Sequence, residues 1–124
     1  MPEQVNKRGP NGEVNGSCLL EALSTTELTD GAAMATLIVP TQHVKDLVID
    51  VVSDKGGSVV VTPLPDHDDT SVLGEASTTG TLTNGGPSGR FKYSDIAAPN
   101  TKVVFTKTEA GTTDGFTLSV RGQG

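Results

Sequence analysis

Asp66-His67-Asp68-Asp69 is the stretch of this 124-residue chain in which side chains capable of chemistry stand most densely. Clustered carboxylates would suit Ca²⁺, and an imidazole among them would suit Zn²⁺. The spacing fits neither ion. No D-x-D-x-D-G pattern occurs, and no bidentate Glu follows at the distance a Ca²⁺ loop requires. Pro63 and Pro65 just before the run make it an exposed loop, where such charges are solvated. His43, the second histidine, follows Pro40-Thr41-Gln42 and reads as a surface residue ahead of a strand. A Ser-His-Asp set would need a nucleophile elbow, and no G-x-S-x-G is present. Cys18 has no basic neighbour to lower its pKa and reads as a small buried hydrophobe. Gly85-Gly86-Pro87-Ser88-Gly89-Arg90 has the composition of an anion nest. A phosphate loop would also need a preceding strand, a following helix and usually a Lys. The expectation is therefore a protein with no catalytic residue, no metal site and no cofactor: not an enzyme.

The elements that would carry these residues are short strands. Hydrophobic residues make up 34% of the chain and aromatics only 3%, so the core must be built from Val, Leu, Ile and Ala. Fifteen Gly and seven Pro imply many turns. Residues 47–62, LVIDVVSDKGGSVVVT, read as a core hairpin with its apex at Lys55-Gly56. In its first arm Leu47, Ile49 and Val51 share one face, and Val48, Asp50 and Val52 the other. Both faces are largely apolar, which predicts a central strand between two layers or beneath a partner.

Met34 to Val39 is a strand halted by Pro40, since proline cannot donate to a ladder. Cys18 to Leu23 could be a strand or one helical turn. Residues 77–90, STTGTLTNGGPSGR, read as a long polar loop with Leu82 as its one clear apolar residue. Arg90–Ser94, Thr101–Thr106 and Phe116–Arg121 close the chain as strands. In the last of these Phe116, Leu118 and Val120 point inward. Seven or eight strands at this spacing predict an all-β fold: a single small β-sandwich, or a jelly-roll-like or barrel domain of antiparallel strands. Residues 1–17 read as an extended N-terminal arm and residues 18–124 as the β-sandwich domain.

Charge narrows the partners. Fifteen acidic against nine basic residues give a net −6, and Lys7-Arg8 is the only adjacent basic pair. Nucleic-acid binders carry a basic stripe, so no nucleic acid is expected. No run approaches the length of a membrane span, and the first twenty residues lack a signal-peptide apolar core. The chain is expected to be made in the cytoplasm and to have no membrane partner. One cysteine excludes an intrachain disulfide, and Asn15-Gly16-Ser17 matches a glycosylation acceptor by chance.

Two stretches, T-E-L-T-D-G-A-A-M-A-T-L-I-V-P from Thr26 and L-V-I-D-V-V-S-D-K-G-G-S-V-V-V-T-P from Leu47, resemble the capsid decoration (cement) proteins of tailed bacteriophages. In those proteins an acidic turn with D-G-A precedes a strand ending in Pro, and a Val/Ile hairpin ending in V-T-P follows. The resemblance covers under a third of the chain. It implies a β-rich virion structural protein, often a homotrimer, bound to the major capsid protein on the outer surface of a phage head and stabilising it. The long Thr/Gly segment at 77–90 and the arm depart from the family pattern.

Tail and fibre modules use similar elements, so a receptor- or glycan-binding tail module is the alternative reading. Glycan platforms use aromatic faces, however, and Tyr93 is the only Tyr, with no Trp. A β-rich enzyme with an unrecognised site stands third.

Overall fold

The computed structural model describes residues 17–24, 28–29, 33–66, 77–83, 89–94, 96 and 98–123. Eight strands occupy most of this span: β1 (Ser17–Ser24), β2 (Met34–Pro40), β3 (Asp46–Val52), β4 (Gly57–Leu64), β5 (Ser77–Leu82), β6 (Gly89–Tyr93), β7 (Asn100–Lys107) and β8 (Thr117–Gln123). They form two four-stranded sheets in the orders β1-β8-β3-β6 and β2-β7-β4-β5. Every pairing is antiparallel.

The order follows one rule. β1 pairs with β8, β2 with β7, β3 with β6 and β4 with β5, so the first half of the chain runs out and the second half runs back along it. Successive pairs fall alternately into the two sheets. A long two-stranded ribbon wound in this way is an eight-stranded jelly roll. The expected all-β sandwich is thus the fold, in its jelly-roll form and not as a closed barrel.

Alternation along each strand sends one set of side chains between the sheets. Leu37 and Val39 of β2, Leu47, Ile49 and Val51 of β3, Val59 and Val61 of β4, Val103 and Phe105 of β7, and Leu118 and Val120 of β8 are all buried in one cluster. Phe105 and Phe116 meet as tilted rings 5.2 Å apart between centroids, in a core otherwise made largely of β-branched and Leu side chains. Cys18 to Leu23 is strand, since its main chain pairs with β8 from Ser17↔Gln123 onward. The arm expected at 1–17 falls outside the described residues except for Ser17, which opens β1.

Three expectations are corrected. The Val-rich runs of residues 47–62 do not form a hairpin: β3 pairs with β6 and β8, and β4 with β5 and β7, in the opposite sheet. The turn crosses between the layers because its polar groups find partners elsewhere. Ser53 Oγ donates to Lys55 O at 2.8 Å and accepts from Lys55 N at 3.0 Å, closing the bend locally. Gly56 N donates to Glu109 Oε1 at 2.8 Å, and Gly56 O accepts from Thr108 N at 3.0 Å. Each Val-rich run then faces the other across the core and gains two ladder neighbours of its own.

The second concerns β3, which is central in its sheet as expected but does not lie between two layers of this chain: one face only is enclosed. Leu47, Ile49 and Val51 are enclosed, whereas Val52 is 49% exposed. The third concerns residues 77–90, which contain a strand. Thr, like Val, favours the extended backbone, and Leu82 plugs the core from the end of β5.

Candidate functional site

Most residues that could do chemistry are dispersed. Asp66 is exposed just beyond β4, and His67, Asp68 and Asp69 lie outside the described residues. His43 is exposed in the turn between β2 and β3. Cys18 pairs through its main chain with Gly122. Of Gly85–Arg90, only Gly89 and Arg90 are described, and they open β6. Among the described residues no three His, Cys, Asp or Glu side chains converge as a metal site.

Sequence reading gave no role to Arg90, which ion-pairs on the outer face of the β1-β8-β3-β6 sheet. Its Nε donates to Asp50 Oδ1 at 2.6 Å and its Nη2 to Asp50 Oδ2 at 3.3 Å. This fork geometry matches a carboxylate in two places. The hydrogen bond to Asp50, then its charge, raise the guanidinium pKa above its ordinary value. Arg121 Nε approaches the same carboxylate from β8 at 3.8 Å, and Lys92 Nζ lies 3.7 Å from Asp46. The register explains the assembly: Asp50 stands opposite Arg90 on one side and Ser119 on the other. An open depression lined by Asp50, Val51, Val52, Gly89, Arg90 and Ser119 lies beside it. This face is solvated, with 71% of the Arg90 side chain exposed.

The outer face of the other sheet is built differently. Its cross-strand rows can be read from the register. One runs Met34, Thr106, Ser58, Thr81, the next Thr36, Val104, Val60, Thr78, and the third Ile38, Lys102, Thr62. Among the residues of these rows Lys102 is the only ionisable side chain. Met34, Thr36, Thr78 and Thr81 are exposed and Ser58, Val60, Val104 and Thr106 half-buried, whereas Thr62 in the third row is buried. Met34 is 63% exposed at their corner. Weakly charged, partly apolar patches on a single chain often mark contact surfaces.

Lys107 is the other group that sequence reading missed. The alternation of β7 turns it inward after Thr101, Val103 and Phe105, and it is wholly buried. Its Nζ donates to Glu109 O at 2.7 Å, which holds the 108–116 connection against the end of the sandwich. The carboxylate of Glu109 receives Gly56 N, so one short segment fastens two turns. A signal was present in the sequence: Lys107 continues the inward phase of TKVVFTK without a break.

Set against known proteins, the chain matches no family model and no curated sequence.

Proposed function

We propose that this protein is a structural component of a virion: a capsid decoration protein that binds the major capsid protein on the outside of a phage head and stabilises it. The observation that carries the reading is the contrast between the two outer sheet faces. One is an ion-paired, solvated surface. The other is a β-branched and Thr surface whose rows carry a single ionisable residue, Lys102, in a chain of net charge −6. A protein that must sit flat on a protein lattice needs one face without like-charge repulsion and an opposite face that stays hydrated. The jelly-roll sandwich is a rigid carrier for such a pair of faces, and jelly rolls recur in viral shells. The resemblance of the 26–40 and 47–63 stretches to decoration proteins points the same way. Cementing then acts by mass action, because a protein that binds only the assembled lattice opposes its disassembly.

The test is particle stability. Heads lacking the protein rupture at lower temperature or milder osmotic stress than complete heads, and purified protein restores resistance along a saturable dose curve. Unchanged rupture behaviour, or localisation to the tail tip, overturns the proposal and favours the tail-module reading.

A further inference from the structure

We propose that the outer face of the β1-β8-β3-β6 sheet is a docking surface for an extended acidic segment of a partner protein, gripped by Arg90, Lys92 and Arg121. The ion pairs of this face are uneven in height. The Arg90, Lys92 and Arg121 side chains are 71%, 58% and 46% exposed, whereas those of Asp50 and Asp46 are 21% and 18% exposed. Short Asp side chains lie low on the pleated surface and the longer cations stand over them, so an approaching partner meets positive charge first. Three of the nine basic residues of a chain of net charge −6 are gathered here.

Asp50 also sets the pose of the cations. It receives Nε and Nη2 of Arg90 as a fork and lies 3.8 Å from Arg121 Nε. The fork takes two of the five N–H donors of Arg90 and leaves the side chain oriented but largely in solvent. A cation already held in one pose loses less rotamer freedom when a second carboxylate arrives.

Register supplies the spacing. Lys92 and Arg121 stand either side of Val48 in one cross-strand row, and Arg90 and Ser119 either side of Asp50 in the next. One row further along, Val52 faces Thr117 of β8 and has no β6 residue opposite it, because β6 begins at Gly89, the partner of Val51. The open depression beside Arg90 forms there, with the exposed Val52 on its wall. Like-facing residues of a strand are about 6.8 Å apart, in this sheet and in any extended peptide laid along it. A segment with the alternation acidic-x-acidic-x-apolar therefore sets its first carboxylate at Lys92 and Arg121, its second at Arg90, and its apolar side chain in the depression against Val52. Nucleic acid is also negative, but a long polyanion is repelled by the rest of a chain of net charge −6. This inference does not rest on the decoration role and is tested on the purified protein alone.

A fluorescein-labelled peptide Glu-Ser-Glu-Ser-Leu, titrated with the full chain at low ionic strength and followed by anisotropy, should bind saturably. Raising the salt to about 0.5 M should weaken binding by about tenfold or more. Lys92→Gln and Arg121→Gln, both at exposed side chains, should each weaken it by about threefold or more, the effect of losing an exposed ion pair. Val52→Ser should weaken the Leu-ended peptide and leave one ending in Ser unaffected. Absence of saturable binding, Lys92→Gln and Arg121→Gln proteins that bind like wild type, or equal binding of the Leu- and Ser-ended peptides by the unaltered chain would each overturn the proposal. So would an oligothymidylate of similar charge that binds more tightly than the peptide, since it would mark a general polyanion surface.

Discussion

The ring of Phe91 occupies the place where a side chain at Gly80 would be. A Cβ built on Gly80 would collide with three ring atoms of Phe91, and one on Gly89 would lie 2.9 Å from the ring tip. Phe91 on β6 thus closes the open side of the sandwich by lying against bare main chain of β5, in the other sheet. The glycines that make residues 77–90 look like a loop are the condition for this contact.

Gly80→Ala should accordingly destabilise the fold by about 1–3 kcal/mol, the range for overpacking a filled site. Urea unfolding monitored by circular dichroism measures it. Phe91→Leu in the same chain should recover part of the loss, because the smaller side chain vacates the space. Equal stability of Gly80→Ala and wild type would mean that the ring is not seated there.

The face assignment of β3 gives a sharper contrast. Val51 is 1% exposed and its neighbour Val52 is 49% exposed. Val51→Asp should cost about 3–5 kcal/mol, since it buries a charge without a partner. Val52→Asp should stay within about 0.5 kcal/mol of wild type. Similar costs for the two would mean that the register is shifted by one residue.

Much of this was legible in the sequence. The alternation of FTLSVR predicts that Phe116, Leu118 and Val120 point inward, and all three are fully buried. Pro40 does end β2, and no helix occurs among the described residues. Pairing was not legible. Asp54-Lys55-Gly56-Gly57 is compatible with a hairpin or with a crossing between sheets, and the choice depends on Glu109, over fifty residues away, receiving Gly56 N. The ion-paired face was hidden for the same reason. Asp50 and Arg90 are forty residues apart in the chain and become neighbours only through the β3–β6 register.

Lys107 offers a test of how a buried cation is tolerated. Its long stem fills core volume, and its Nζ satisfies one carbonyl, Glu109 O. Lys107→Met keeps the volume and removes the charge, so it should change stability by no more than about 1–2 kcal/mol in either direction. Lys107→Ala leaves a cavity and should cost about 2–4 kcal/mol. If alanine is tolerated as well as methionine, the side chain does not lie between the sheets.

The two outer faces should separate in their effect on particle binding. Val104→Glu and Thr36→Glu place carboxylates in the uncharged rows, whereas Arg121→Glu and Lys92→Glu alter the ion-paired face. All four positions lie on outer sheet faces, so each variant should fold, with melting temperatures near wild type as the check. If the weakly charged face seats the protein on a shell, the first pair should weaken attachment by tenfold or more, since a desolvated carboxylate facing an apolar lattice costs well over 1.4 kcal/mol. The second pair should leave attachment unchanged at moderate ionic strength, where exposed charges are screened beyond about 8–10 Å. The measurement is co-sedimentation with stripped heads across a concentration series. The reverse pattern, with Arg121→Glu and Lys92→Glu releasing the protein and the weakly charged face indifferent, would place the contact on the charged sheet and point to an acidic lattice surface as its partner.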